Sequence, residues 1–409
     1  MRKSSLLVVT IAVTGALTLS ACGSRGAKSG SENAGGTTKV VIGVDAPLSG
    51  KLSALGLGIK NSTDLAVKKA NKENLVPGVT FALESKDDQG NPNTGGQNAT
   101  ALVGMKDVVG VVGPLNSSVS LTMQKIFSDG KLTQISPSNT TPDLSLGPDW
   151  TSGKYTRPYP TYFRTATTDL VQGRYAAQYM FNDAKKTKVY VLDDKKTYGA
   201  GLAAIFQDEF KKLGGTVVGT DHISPDDKDF SAVATKVASS GAEAVYYGGE
   251  YPEGGPLSDQ IKKAGAKIPL MGGDGLVDPE FIKLSNNNSE GDLATSVGAP
   301  VEQLDSAKAY IADYTAAGYK DGYSAYGGYS YDAAWSIIQA VKAAVEHNGG
   351  KVPDDLRTKV LAEMAKVSFT GVGGQVSYDQ YGDTTNKQLT VYTVKGPDWK
   401  PIKTGTYTG

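Results

Sequence analysis

Short β-branched runs alternate with apolar residues at helical spacing along most of the chain. Val40 to Val44 is one such run. After a loop with Pro47, Ser49 and Gly50, the stretch Ile59 to Asn71 sets Leu65, Ala66 and Ala70 at helical spacing. The pattern continues with strands Val79 to Glu84, Val108 to Val112 and Leu132 to Ile135, and with helices Thr94 to Val103 and Ser117 to Ser128. From Leu144 to Tyr162 it breaks into Pro, Gly, Trp and Tyr. It resumes with helix Leu170 to Asn182, strand Lys188 to Leu192, helix Tyr198 to Lys212 and strand Thr216 to Ile223. Helix Phe230 to Ala238, strand Ala244 to Tyr247, helix Pro256 to Ala264 and strand Ile268 to Met271 follow. A long helix carries Tyr331, Ala334, Trp335, Ile338, Val341 and Val345 on one face, read as core, and stops at His347-Asn348-Gly349-Gly350. Val372 to Val394 reads as a hairpin. Continuous apolar strands between helices predict parallel sheets covered on both faces, and the break predicts two doubly wound α/β units.

Composition narrows the function. Lys plus Arg and Asp plus Glu number 42 each in 409 residues, so no net field draws in a nucleic-acid backbone. One Cys forms no internal disulfide, and two His, at positions 222 and 347, give little basis for a zinc site or a histidine triad. The chain has no Gly-x-Ser-x-Gly elbow, dinucleotide fingerprint, phosphate-binding Gly-Lys-Ser/Thr loop or His-Glu-x-x-His. An enzyme, a metal and a cofactor are therefore not expected.

Arg2 and Lys3 precede an apolar run from Leu6 to Leu19, a secretory leader in form. The run ends in Leu19-Ser20-Ala21-Cys22, which resembles the bacterial lipobox; a plain signal peptide is the alternative. The resemblance implies cleavage of residues 1–21 and a lipid anchor on Cys22, on the outer face of the cell membrane. Residues 22–38, rich in Gly and Ser, read as a flexible tether.

In doubly wound sheets ligands bind outside the carboxyl ends of strands, so the loops there are the candidate chemistry. Gly113-Pro114-Leu115-Asn116-Ser117-Ser118 brings hydroxyls to a helix N-terminus, where Ser117 either caps the helix or helps to hold an anion. The loop Ser136 to Pro142 offers Ser138, Asn139 and Thr140, as a ligand surface or as a bland polar turn. Asp193 to Gly199 places Tyr198 at the mouth of a helix, and Glu250 and Asp274 each lie beside glycines, where a cation can approach backbone. One unit thus offers anion donors and the other offers carboxylates and a Tyr, a division that fits a zwitterion.

The uninterrupted run from Val111-Val112-Gly113-Pro114 through Ser136-Pro137-Ser138-Asn139-Thr140-Thr141-Pro142-Asp143-Leu144 resembles the leucine/isoleucine/valine-binding family of type I periplasmic binding proteins. The resemblance covers Lys39 to about Lys400. It implies two lobes, residues 39–166 plus 298–371 and residues 167–297 plus 372–409, joined by a three-crossover hinge at Thr165, Gly298 and Gly373. It implies that Ser117 and Thr140 hold a ligand carboxylate, that the Ser138 carbonyl and Asp274 hold its ammonium, and that Tyr198 closes over it. It also implies a monomeric receptor that delivers a free amino acid to ABC permease subunits, or that serves a sensory partner. The family's leucine binders often carry aromatics where this chain has Leu55 and Glu250, and the disulfide pair of enteric members falls at Gly90 and Asn116. Two ligand classes follow: a branched-chain amino acid with Glu250 at a wet rim, or a polar or cationic amino acid paired with Glu250.

Overall fold

In the computed structural model, residues 37–407 are described; the expected leader, Cys22 and nearly all of the tether lie outside them. The chain opens β1 (Thr38–Ala46), α1 (Ser53–Lys72), β2 (Val79–Asp87), α2 (Pro92–Gly104), β3 (Val108–Val112), α3 (Ser117–Asp129), β4 (Thr133–Ser136), the single turn α4 (Asp143–Leu146) and β5 (Tyr162–Arg164). These strands form one parallel sheet in the order β2-β1-β3-β4-β5. From Val40 onward β1 is buried, the signature of a strand covered on both faces.

The chain then runs α5 (Asp169–Gln178), β6 (Lys188–Asp193), α6 (Thr197–Lys212), β7 (Thr216–His222), α7 (Ser231–Ser239), β8 (Ala244–Gly248), α8 (Tyr251–Lys263), β9 (Leu270–Gly272), α9 (Pro279–Leu284) and β10 (Leu293–Val297). It returns to the first unit as α10 (Lys308–Ala317), α11 (Gly327–His347) and α12 (Leu356–Met364), where α11 packs on α1 and β3. The chain ends with β11 (Ser368–Gly371), β12 (Gly374–Ser377), β13 (Gln388–Lys395) and β14 (Asp398–Thr406). The second sheet has the order β14-β13-β10-β9-β8-β6-β7, parallel except for β13 and β14. Both lobes therefore share one winding, with the order of strands reversing between β1 and β3 in the first and between β6 and β8 in the second. Those reversals open the crevices where doubly wound sheets bind ligands.

Several local expectations are corrected. β1 starts at Thr38, inside the expected tether. α8 starts at Tyr251 rather than Pro256; Pro252 sits in its first turn, where the missing N–H costs no helical bond. Gly373 was expected at the third crossover, but residues 371–374 form the turn between β11 and β12. Asp332 of α11 fixes that turn by accepting the N–H groups of Val372 (2.7 Å) and Gly373 (3.0 Å). The chain passes into the second sheet later, over residues 378–387. At the second passage Gly298 has φ +89°, and a Cβ there would lie 1.6 Å from the Tyr329 hydroxyl oxygen, so glycine is required.

The first and third passages are tied together. Arg164 is buried; its Nε donates to Asp383 Oδ1 at 2.5 Å, and Nη1 donates to the carbonyls of Asn139 (3.2 Å) and Thr141 (2.8 Å). Nη2 donates to Ser145 Oγ, which itself donates to Asp383 Oδ2 at 2.9 Å. Thr165 donates its hydroxyl to the Tyr329 carbonyl at 3.0 Å. No helix among the described residues is long and apolar enough to cross a membrane.

Candidate ligand-binding site

The loops after β1, β3 and β4 face those after β6, β8 and β9. In the first lobe, α3 begins without a side-chain cap. This contrasts with α2, whose Asn91 accepts from the N–H groups of Asn93 and Thr94. The first N–H groups of α3 are therefore available beside Ser117, which is buried and lines the space between the lobes. Asn116, the residue that would cap, instead donates its amide across the cleft to Glu250 Oε1 at 2.5 Å.

The loop after β4 is clamped to the loop after β3. Ser138 Oγ donates to the Leu115 carbonyl at 3.0 Å, and Asn139 Nδ2 donates to the same carbonyl at 2.8 Å. Ser138 lines the cavity; the Asn139 side chain is spent on the clamp. Thr140 is fully buried, with Oγ1 unpartnered, and its carbonyl accepts the Asp169 N–H at 2.8 Å.

The second lobe supplies negative charge. Asp274 is buried; Oδ1 accepts from Gln172 Nε2 and the Tyr198 hydroxyl, both at 2.8 Å, and Oδ2 accepts from the Tyr326 hydroxyl at 2.9 Å. Its backbone N–H donates to Gln172 Oε1 at 3.1 Å. Asp169, on α5, is also fully buried, and its Oδ2 has no partner. Burial raises the pKa of Asp274. Burial, and then the charge of Asp274, push Asp169 up to about 7. Arg164 offsets part of that rise, but its donors go to Asp383, Ser145 and main-chain carbonyls. Gln172 Nε2 donates to both carboxylates, to Asp274 Oδ1 at 2.8 Å and to Asp169 Oδ1 at 3.4 Å, and neither has a directly bonded cation among the described residues. A carboxylate has about four acceptor positions. Asp274 uses three on side-chain donors, leaving one for an ammonium.

At the other end Glu250 is 6% exposed and stands between the closed cavity and an open hollow lined by Lys51, Lys196 and Glu253. Its Oε2 accepts from Lys196 Nζ at 2.6 Å. Leu55 and Leu115 line the same space. The lobes are closed on each other: a cavity of about 20 Å³ remains, enough for about one water. Of the larger hollows, those of about 510 and 460 Å³ lie against β13 and β14 and beside α12, and one of about 440 Å³ opens beside Lys196 and Glu250. Outside the cavity, Lys51 Nζ reaches across to the Pro225 carbonyl (2.7 Å) and Glu253 Oε1 (3.1 Å), and the Tyr251 hydroxyl donates to the Lys51 carbonyl at 2.6 Å.

Ser117, Ser138, Tyr198 and Glu250 therefore line one cavity, with Asp274 directly behind the Tyr198 and Tyr326 hydroxyls. Sequence reasoning missed Tyr326, Gln172, Asn116 and Lys196. Gln172 lies three residues after Asp169 on α5, a spacing that puts both on one helical face and could have flagged it. Trp335 and Tyr331 stack on each other at 5.8 Å and pack against the core, away from the cavity.

Two like-wound lobes closing on opposed loops define a hinged ligand receptor. The family described as periplasmic binding protein matches residues 39–400, and the chain belongs to it, on the Leu/Ile/Val-binding side. It is 31% identical over 353 residues to a Leu/Ile/Val-binding protein of Rhizobium johnstonii, covering 86% of this chain and 91% of the relative. It is 32% identical over 361 residues to Leu/Ile/Val-binding protein homolog 3 of Brucella melitensis, covering 86% and 90%. The fold matches that of a branched-chain amino acid transporter substrate binding protein of Streptococcus pneumoniae, solved with isoleucine. That match has a TM-score of 0.78 at 24% identity and covers 90% of this chain and 99% of the other.

Proposed function

We propose that this protein is the extracytoplasmic receptor of an ABC importer, capturing a free amino acid between its lobes and presenting the closed form to a membrane permease. Asp274, buried behind the Tyr198 and Tyr326 side chains that line the cavity together with Ser117 at the uncapped start of α3, carries the reading. A ligand carboxylate accepts from the N–H groups of α3 and the hydroxyls of Ser117 and Thr140. Its ammonium takes the open acceptor position of Asp274, with the Ser138 carbonyl as a second acceptor. Charge-assisted hydrogen bonds contribute roughly 1.5–3 kcal/mol each, so four or five suffice for micromolar binding at about 8 kcal/mol. The α-amino acid groups contact both lobes, and that differential contact is what drives closure about Thr165, Gly298 and residues 378–387.

The names of the relatives, Leu/Ile/Val-binding proteins, support an amino acid as the ligand class. The lipobox-like segment supports an anchor at Cys22, removed by Cys22→Ser, which releases the protein from membranes. Calorimetry with amino acids on the wild type and Asp274→Ala tests the reading: micromolar binding that is lost in the variant supports it, and equal binding in both overturns it.

A further inference from the structure

The side-chain end of the pocket is built from charge. Glu250 is the one acidic side chain in the lining of the closed cavity. Its partner Lys196 belongs to the same lobe, at the N-terminus of α6, so the ion pair lies within one lobe. Asn116 joins it from the other lobe.

The acceptors outnumber the donors here. Each Glu250 oxygen takes a single side-chain donor, Asn116 at 2.5 Å and Lys196 at 2.6 Å, which leaves about two of its four acceptor positions open. The Asn116 Oδ1 is buried and unpartnered. Lys196 Nζ also lies 3.9 Å from Asp194 Oδ2, a second buried carboxylate oxygen without a hydrogen-bond partner, so one ammonium stands between two acidic groups. An aliphatic side chain against this wall covers the cavity side of Glu250 and gives it no donor in return.

We infer that the Glu250, Lys196 and Asn116 cluster makes this pocket select amino acids whose side chains end in a hydrogen-bond donor, whether amide, hydroxyl or cation, over leucine, isoleucine and valine. The inference rests on the amino-acid reading above and deepens it. Glu250 sets the preference and Lys196 holds it in place.

The test is calorimetry on the full-length protein in mild detergent with glutamine, threonine, lysine, leucine, isoleucine and valine. At least one donor-bearing ligand binds about tenfold or more tightly than leucine. Glu250→Leu, checked for an unchanged melting temperature, removes or reverses that order, and Glu250→Gln, which keeps the shape, lowers affinity for lysine while sparing glutamine or threonine. Loss of lysine binding alone in Glu250→Gln, with glutamine, threonine and leucine unaffected, assigns the cation. Leucine binding as tightly as the others in the wild type, with the order unchanged in Glu250→Leu, overturns this inference; the receptor reading then stands if Asp274→Asn abolishes all binding. Failure of all six ligands to bind the wild type overturns both.

Discussion

The Tyr326 hydroxyl donates a 2.9 Å hydrogen bond to Oδ2 of Asp274, joining the residue just before α11 of the first lobe to the loop after β9 of the second. Asp274 therefore reads closure and ligand charge together. Removing it leaves the ligand ammonium unpaired in a buried site, a loss of about 100-fold or more in affinity for every amino acid tested. Tyr326→Phe keeps the ring and loses one donor, a change of about tenfold. Isothermal titration of the two variants checks both, and equal affinities in wild type and Asp274→Asn would count against the site.

Affinity should also depend on pH. Burial and the neighbouring charge of Asp274 lift Asp169 from an ordinary 3.8 to about 7, so the free folded protein holds a proton there that the unfolded chain releases. The folded state binds the extra proton between those values, so the contribution of Asp169 to stability falls as pH rises through that window, by up to about 1.4 kcal/mol per pH unit. A ligand ammonium favours the ionised carboxylate, so binding releases protons and weakens as pH drops from about 7 towards 5. Titration in buffers of different ionisation heat measures the release. Affinity that is flat over this range would exclude Asp169 from the ammonium subsite.

Lys51 touches no ligand position, yet it bonds Pro225 and Glu253 of the other lobe. It is half exposed, and exposed ion pairs contribute only ~0.2–1 kcal/mol, so Lys51→Ala weakens every ligand by up to about fivefold. The change lies in faster release, with the order of preference unchanged. Stopped-flow dissociation rates check this; a change in ligand order would place Lys51 in the pocket.

The tie between the first and third passages is a stability element. Asp383→Ala strands the buried Arg164 guanidinium without its counter-charge, at a cost of about 3–5 kcal/mol. A lowered midpoint in urea unfolding followed by circular dichroism is the expected readout. An unchanged midpoint would show that the carbonyls of Asn139 and Thr141 suffice.

Most of the α/β alternation was legible because buried parallel strands such as Val108–Val112 are continuous apolar runs. The loops holding Ser117, Ser138 and Glu250 were legible for the same reason, since they follow such strands. Gly373 was misplaced because an Asx-like clamp by Asp332, forty-one residues away, decides where that turn sits. α10 and α12 were missed because each buries only two or three residues, Tyr310 and Tyr314 or Leu356, Val360 and Met364, too few to mark a helical face. Glu250 was visible as a candidate, but whether it faces water or the cavity depends on how the lobes meet. Tyr326, Gln172 and Lys196 acquire their roles only from that meeting.

A thermal-shift screen of the whole protein against the twenty amino acids shows whether the closed cleft is an amino-acid receptor. A ligand at 100 times its Kd stabilises the folded state by about 2.7 kcal/mol, an upward shift that Asp274→Asn abolishes. No shift with any amino acid, or a shift that survives Asp274→Asn, would contradict the account.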